Sequence, residues 1–166
     1  MSKREEILKK RLYGDALCAW VMAVFMLLGA LSKVFTAFTG FVNVGMMKGS
    51  LEGSPALVLG DGIRQLLLAA AIVLLALILT SIRKEGRPFT KMNVSKFRLM
   101  AILIIICAVI NLIVSIIAGF FDPQAAFQLT FGVSDFVYAV IGAIFGIISE
   151  IFYYGYELQE EMDSIV

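Results

Sequence analysis

Glu150 is the acidic residue whose position most suggests chemistry, because it follows Gly142 and Gly146 in an apolar segment. A G-x-x-x-G pair lets two helices approach closely in lipid, so we predict that this face packs helices within the chain or across a homo-oligomer. Glu150 continues the same face, and an ionisable group at that depth is costly if it faces lipid. We therefore expect Glu150 to be buried inside the bundle or paired with a basic residue. Its candidate partners are Arg83, Lys84 and Lys96.

Residues for enzymatic chemistry are scarce. The chain contains no histidine, which removes the commonest general base and the commonest zinc ligand. Cys18 and Cys107 lie far apart in apolar runs, where we interpret them as small buried hydrophobic residues. No Ser-His or Cys-His arrangement and no suitably spaced carboxylate pair follows from the sequence. We predict that the protein is not an enzyme and has no catalytic, cofactor-binding or metal-binding residues.

Two polar segments stand apart from the apolar runs. In the basic segment 84–94, Gly86 and Pro88 favour a turn, and Thr90 is placed to cap the next helix. This hairpin either fixes topology alone or docks a partner. The acidic segment 156–166 has no Lys or Arg, and only Gly155 would interrupt its continuation as an amphipathic helix. It is either simply solvated, paired with the basic hairpin, or bound to a basic partner.

The elements that hold these segments are membrane spans. The chain has 166 residues, of which 60% are hydrophobic and 16% charged, against about 45–50% and about 25% in soluble domains. Apolar runs cover residues 16–38, 63–82, 99–121 and 136–154, each near the 20 residues that cross a bilayer as a helix. We predict an all-α polytopic membrane protein, a single domain over 1–166 with a bundle of four transmembrane helices. The predicted spans are about 14–38, 63–84, 97–121 and 135–155, followed by the tail 156–166.

The basic residues predict the orientation, because basic flanks stay in the cytoplasm. The N-terminal segment carries Lys3, Arg4, Lys9, Lys10 and Arg11. The connection between the second and third runs carries Arg83, Lys84, Arg87, Lys91, Lys96 and Arg98. Both termini are therefore expected in the cytoplasm, and the first run is interpreted as a retained signal anchor. Direct nucleic-acid binding is not expected, because the short basic cluster lies against an anionic leaflet that competes for it.

The two outer connections, 39–62 and 119–135, carry fewer signals. The first is rich in glycine and either lies against the membrane surface or re-enters it as a ligand-sensing loop. Asp61 and Arg64 at its end are interpreted as a helix start with an interfacial charge, and Lys33 is expected to snorkel outward. Ser134 or Asp135 is placed to cap the fourth helix and to interact favourably with its dipole.

The polar segments also carry a family resemblance. The residues Gly86, Pro88, Phe89, Thr90, Asn93 and Val94 match a Gly-x-Pro-Phe-Thr-x-x-Asn-Val motif. The tail residues Leu158, Gln159, Glu160, Glu161 and Asp163 match a Leu-Gln-Glu-Glu-Asn-Asp-type ending. With both motifs, the chain resembles bacterial four-span membrane proteins grouped as domain of unknown function 2975, although Met92 and Met162 depart from the pattern. The resemblance implies the bacterial plasma membrane and a neighbouring gene for a small helix-turn-helix regulator.

These observations together favour a membrane adaptor or regulator that docks a cytoplasmic partner, such as a small DNA-binding regulator. The alternative is a small transporter or channel component, with Glu150 as its ionisable group. The residues expected to form the docking surface are Arg87, Pro88, Phe89, Thr90, Asn93, Lys96, Glu157, Leu158, Gln159, Glu160, Glu161 and Asp163.

Overall fold

The computed structural model describes residues 3–44, 55–121 and 133–165, and these ranges form four α-helices. The helices are α1 (Lys3–Val44), α2 (Pro55–Glu85), α3 (Lys91–Phe121) and α4 (Val133–Ile165). Each contains a segment long and apolar enough to cross a membrane, and the shortest of these has 24 residues. At 1.5 Å per residue, even that segment exceeds a hydrocarbon layer of about 30 Å. The predicted all-α, four-span architecture is confirmed.

Helix bounds differ from the predicted spans at the ends. The interpretation of Asp61 as a helix start is wrong, because α2 begins at Pro55, whose fixed φ suits a first helical position. Asp61 and Arg64 therefore lie within the helix. The helical continuation of the tail is confirmed, since α4 runs through Gly155 to Ile165 without a break. The remaining parts of the two outer connections, 45–54 and 122–132, lie outside the described residues, and so do the predictions made for them.

Helices α1 and α2 pack along a seam of small residues. Four alanines at seven-residue intervals on α1 are buried: Ala16, Ala23, Ala30 and Ala37. Ala69 and Ala76 on α2 continue a matching seven-residue interval from Gly62, where an added Cβ would lie 3.0 Å from Val34. Small side chains at such intervals allow close helix approach, which is the main source of association in lipid. This seam fixes the rotation of α2 against α1.

A larger apolar core joins α2, α3 and α4. Its buried members are Ala71, Ile78, Phe97, Met100 and Ile104. Phe145, Ile148 and Phe152 of α4 pack against this cluster, so α4 is held mainly by α3 and the core. Within the described ranges, α1 packs against α2 but not against α3 or α4. The bundle is therefore open along the side between α1 and α4.

The two ends of the bundle differ in chemistry. At the end that holds the α2–α3 hairpin, the Arg83 guanidinium lies 4.5 Å from the centre of the Tyr13 ring of α1. We call the end of the bundle that holds the α2–α3 hairpin the hairpin end. The far end of the described helices contains Lys33, Asp61 and Arg64, and we call it the opposite end.

Candidate functional site

The hairpin is built by the motif residues themselves. Gly86 ends α2 with φ of 68°, a conformation that suits glycine, and its N–H donates to the Ile82 carbonyl at 2.9 Å. The Pro88 carbonyl accepts from the Thr90 N–H at 3.2 Å and from Nδ2 of Asn93 at 3.1 Å. Oγ1 of Thr90 accepts from the Asn93 N–H at 3.2 Å, so Thr90 caps α3 as predicted.

Phe89 anchors the hairpin to the fourth helix. Its ring centre lies 5.2 Å from that of Phe152, which in turn lies 4.6 Å from Phe97 in the core. A Cβ on Gly155 would lie 2.7 Å from the Phe89 ring. Gly155 is thus not a helix breaker here, because its missing side chain makes room for an aromatic ring. The hairpin and the start of the tail therefore pack as one unit.

The hairpin and the tail enclose a cleft of about 220 Å³, which we call the hairpin–tail cleft. Its lining residues are Arg87, Phe89, Thr90, Lys91, Tyr156, Gln159, Glu160 and Asp163. At its mouth, Nη1 of Arg87 lies 3.7 Å from Oδ2 of Asp163, and both side chains are more than 60% exposed. A hydrogen bond to the Glu160 carboxylate raises the pKa of Tyr156 above its ordinary value, so the phenol stays protonated as a donor. The cleft therefore offers both charges and two aromatic side chains.

The structure separates the predicted docking residues into three groups. Six line the cleft: Arg87, Phe89, Thr90, Gln159, Glu160 and Asp163. Pro88 and Asn93 instead build the turn, and the fully buried Asn93 leaves its Oδ1 without a partner. The rest do not line the cleft: Lys96, Glu157, Leu158 and Glu161. Lys91 and Tyr156 also line the cleft but were not among the predicted docking residues. Lys91 lies within the hairpin motif and Tyr156 just before the tail motif, and these positions could have indicated them.

Of the two alternatives predicted for Glu150, the structure shows pairing with a basic residue and not burial inside the bundle. Its side chain is 66% exposed at the surface of the protein, and Oε1 accepts a hydrogen bond from Nη2 of Arg98 at 3.0 Å. Arg98 replaces the predicted partners because it lies on the adjacent face of α3. Glu150 lines neither this cleft nor the cavity at the opposite end.

The two glycines of the G-x-x-x-G pair have different surroundings. A Cβ on Gly142 would lie 2.6 Å from Cγ1 of Ile105 and 3.3 Å from the Ala101 carbonyl, so Gly142 packs against α3. A Cβ on Gly146 would meet nothing within 4 Å. The packing prediction therefore holds within the chain for Gly142, whereas Gly146 faces open space. Association of two copies through α4 stays a prediction.

A second polar site, missed in the sequence, lies at the opposite end. Arg64 is 2.8 Å from Oδ1 of Asp61 and 3.6 Å from Oδ1 of Asp135, and Nζ of Lys33 is 3.6 Å from Oδ2 of Asp61. We call these four residues the charge cluster. Lys33 thus pairs with α2 rather than only snorkelling outward, and Asp135, in the first turn of α4, contacts α2 as well. The sequence signal was four charges near span ends on three different helices.

Within the described ranges, no three acidic or cysteine side chains come together as a metal site. Four apolar helices, a capped hairpin and polar sites at both ends define a multi-pass helical membrane protein. The chain belongs to the family described as "Protein of unknown function (DUF2975)", whose model matches residues 65–166. No match was found among curated proteins or among solved structures.

Proposed function

We propose that this protein is a non-enzymatic membrane adaptor or regulator of the bacterial plasma membrane, with both termini in the cytoplasm. In this proposal the hairpin–tail cleft docks a cytoplasmic protein, such as a small helix-turn-helix transcription regulator. The observation that carries it is the union of two distant polar segments in one cleft, where Arg87 meets Asp163. These segments are also the ones on which the family resemblance was recognised.

The chemistry of the cleft suits a protein partner with mixed charge. Arg87 and Lys91 lie on the hairpin side, whereas Glu160 and Asp163 lie on the tail side. The ion pair between Arg87 and Asp163 is exposed, and such pairs contribute at most about 1 kcal/mol. A partner can therefore replace this pair with its own charges at little cost. During such an exchange, the packing of Phe89 against Phe152 keeps the hairpin and the tail together.

Site-specific photo-crosslinking in intact membranes tests the proposal. A photoreactive residue at Lys91 or Gln159, inside the cleft, is expected to crosslink a small DNA-binding protein. The same probe at Lys10, on α1 and outside the cleft, is the matched control. Equal crosslinking from Lys10, or no DNA-binding protein at either cleft position, would contradict the proposal.

Charge variants test the role of the tail wall. Removing both cleft carboxylates with Glu160→Gln and Asp163→Asn is expected to reduce crosslinking about tenfold, since two exposed charged contacts of about 0.7 kcal/mol each add up to the roughly 1.4 kcal/mol that corresponds to tenfold. Glu161→Gln changes a carboxylate of the same helix that does not line the cleft, so it should leave crosslinking unchanged. If the double variant and Glu161→Gln crosslink equally well, the cleft is not the docking site.

A small transporter or channel component is the alternative, favoured by the charge cluster within the apolar part of the helices. In liposomes, such a protein would lose flux on Arg64→Gln, because Arg64 joins α2 to α4 through its ion pair with Asp135 and lines the cavity at this end. Glu150→Gln would retain flux, because Glu150 lines neither cavity. Absence of flux for the unmodified protein, together with partner crosslinking, would reject this alternative.

A further inference from the structure

The charge cluster borders a cavity of about 220 Å³ at the opposite end of the bundle. Its lining residues are Met26, Lys33, Asp61, Arg64, Gln65, Leu68 and Tyr138. They belong to α1, α2 and α4, and the described parts of α1 and α4 do not pack against each other. The described helices therefore leave the cavity unclosed on the side between α1 and α4. At about 30 Å³ per water molecule, it holds a small polar group but not an acyl chain.

The cavity lies near a membrane border. Arg64 precedes Arg83 by 19 residues on α2, which corresponds to about 28 Å of helix. This distance is close to the hydrocarbon thickness of about 30 Å, so the cluster reaches the level of lipid headgroups when Arg83 lies at the other border. Phe35 and Phe38 on α1 and Ile117 on α3 are exposed and lie farther from the hairpin end than the charge cluster does. Apolar surface therefore continues on both sides of the cluster along the helices.

The four charges form a deep pair and a shallow pair. Arg64 and Asp135 are 19% and 3% exposed, and Arg64 also lies 5.7 Å from the centre of the Tyr138 ring. Lys33 and Asp61 are 44% and 41% exposed and are separated by 3.6 Å, the same distance as Arg64 and Asp135, so exposure and not distance distinguishes the two pairs. Oδ1 of Asp61 also accepts a hydrogen bond from Nη2 of Arg64 at 2.8 Å. The deep pair is therefore held by the fold. The shallow pair has room to exchange its partner for a ligand.

We propose that this cavity binds a zwitterionic group that carries both an ammonium and an anion, as the headgroup of phosphatidylethanolamine does. The anion of the ligand would lie between Lys33 and Arg64, and its ammonium would donate to Asp61. A single ion is a poorer ligand, because each attractive side chain in this cavity stands beside one of opposite charge. The unclosed side between α1 and α4 lets the acyl chains stay in the bilayer while the headgroup enters.

Gln65 and Gly29 show that the site is built into the helix packing. A Cβ on Gly29 would lie 2.5 Å from Nε2 of Gln65, so the Gln65 amide occupies the space beside this glycine between α1 and α2. The amide adds a hydrogen-bonding group to the cavity wall beside Lys33. A ligand anion can therefore receive donors from two helices.

Native mass spectrometry of the full-length protein tests this inference. The protein is reconstituted in nanodiscs with equal phosphatidylethanolamine and phosphatidylglycerol, and the lipids retained after mild extraction are counted. We expect selective retention of phosphatidylethanolamine, reduced about tenfold by Lys33→Met and by Asp61→Asn, since each removes one charged contact. Lys84→Met, at the hairpin end, is the matched control and should retain the lipid. Circular dichroism checks folding, and Lys33→Gln replaces Lys33→Met if the latter unfolds.

A second arm separates the two sources of this chemistry. Free phosphoethanolamine, added to delipidated protein, should protect Lys33 from amine-reactive labelling if a soluble zwitterion suffices. Selective lipid retention supports the lipid source, and protection without lipid retention supports the soluble source. Equal retention of phosphatidylglycerol without protection, or a lipid preference unchanged in both variants, would overturn the inference. Partner crosslinking at the hairpin–tail cleft is measured independently of this outcome.

Discussion

At the scale of single residues, the hairpin shows how backbone requirements select residue types. Gly86 takes a positive φ where α2 ends, and Oγ1 of Thr90 accepts the N–H of Asn93 in the first turn of α3. Asn93 is fully buried and ties its side chain to the Pro88 carbonyl. The motif is thus largely explained by the turn that it builds. Within the segment that the motif spans, Arg87, Phe89, Thr90 and Lys91 also line the cleft.

The conformational role of Gly86 predicts the effect of Gly86→Ala. A Cβ at this position would meet no atom within 4 Å, so the substitution is unfavourable only because alanine must adopt the positive φ. We expect it to lower the free energy of unfolding by about 1–2 kcal/mol. Gly14→Ala is the control, because Gly14 also faces open space but lies inside α1, where alanine is favoured by up to about 1 kcal/mol. Reversible unfolding in mixed micelles measures both, and equal effects would refute the explanation.

At the scale of helices, small residues decide which faces pack. The alanine seam joins α1 to α2, whereas Gly142 lets α4 approach α3. Helices that are consecutive in the chain pack against each other, and each packed pair is antiparallel. Because lipid removes the hydrophobic drive between helices, close contact of small residues carries much of the specificity.

The unequal surroundings of the glycine pair predict unequal mutants. Gly142→Ala should destabilise the protein by about 1–3 kcal/mol, because its Cβ would overlap Ile105 and crowd the α3 backbone. Gly146→Ala should be neutral or slightly stabilising, since it meets no atom. Thermal unfolding in detergent measures the difference. Should Gly146→Ala instead convert an oligomer to a monomer, the open face of α4 would be an interface between copies.

At the scale of the whole molecule, the two polar sites lie at opposite ends of an open bundle. The hairpin–tail cleft has a turn and a helix end as walls, while the charge cluster uses residues from α1, α2 and α4. In the proposed orientation, the first faces the cytoplasm and the second reaches the outer leaflet. In that orientation, two cavities of about 220 Å³ each would face opposite sides of the membrane.

The orientation itself predicts a labelling pattern. In a background with Cys18→Ser and Cys107→Ala, a cysteine placed by Ser164→Cys should react with a membrane-impermeant maleimide only after the cells are opened. Ser134→Cys, near the start of α4 and exposed, should react in intact cells. The basic flanks give the physical reason, because they resist translocation. Labelling of Ser164→Cys in intact cells would remove the cytoplasmic docking surface and the proposed function with it.

The local features were predictable from the sequence because their causes are local. Apolar length sets the number of spans, since a helix satisfies its backbone bonds within one segment. The turn at Gly86 and Pro88 and the cap at Thr90 likewise depend on residues a few positions apart. Half of the predicted docking residues do line the cleft for this reason: both motifs adjoin helix ends that an antiparallel pair must bring together.

The partners of the charged side chains were decided only by the tertiary structure. Glu150 pairs with Arg98 and is exposed, and Arg64 reaches Asp135 on α4, and neither pairing follows from spacing along the chain. The pair between Arg64 and Asp61 is the exception, because residues three apart are neighbours on one helix. The other two pairings depend on how far each helix is rotated and shifted against its neighbour, which the small-residue seam and the core around Phe97 determine. Sequence thus determined what crosses the membrane and where the chain turns. Packing decided which charges meet.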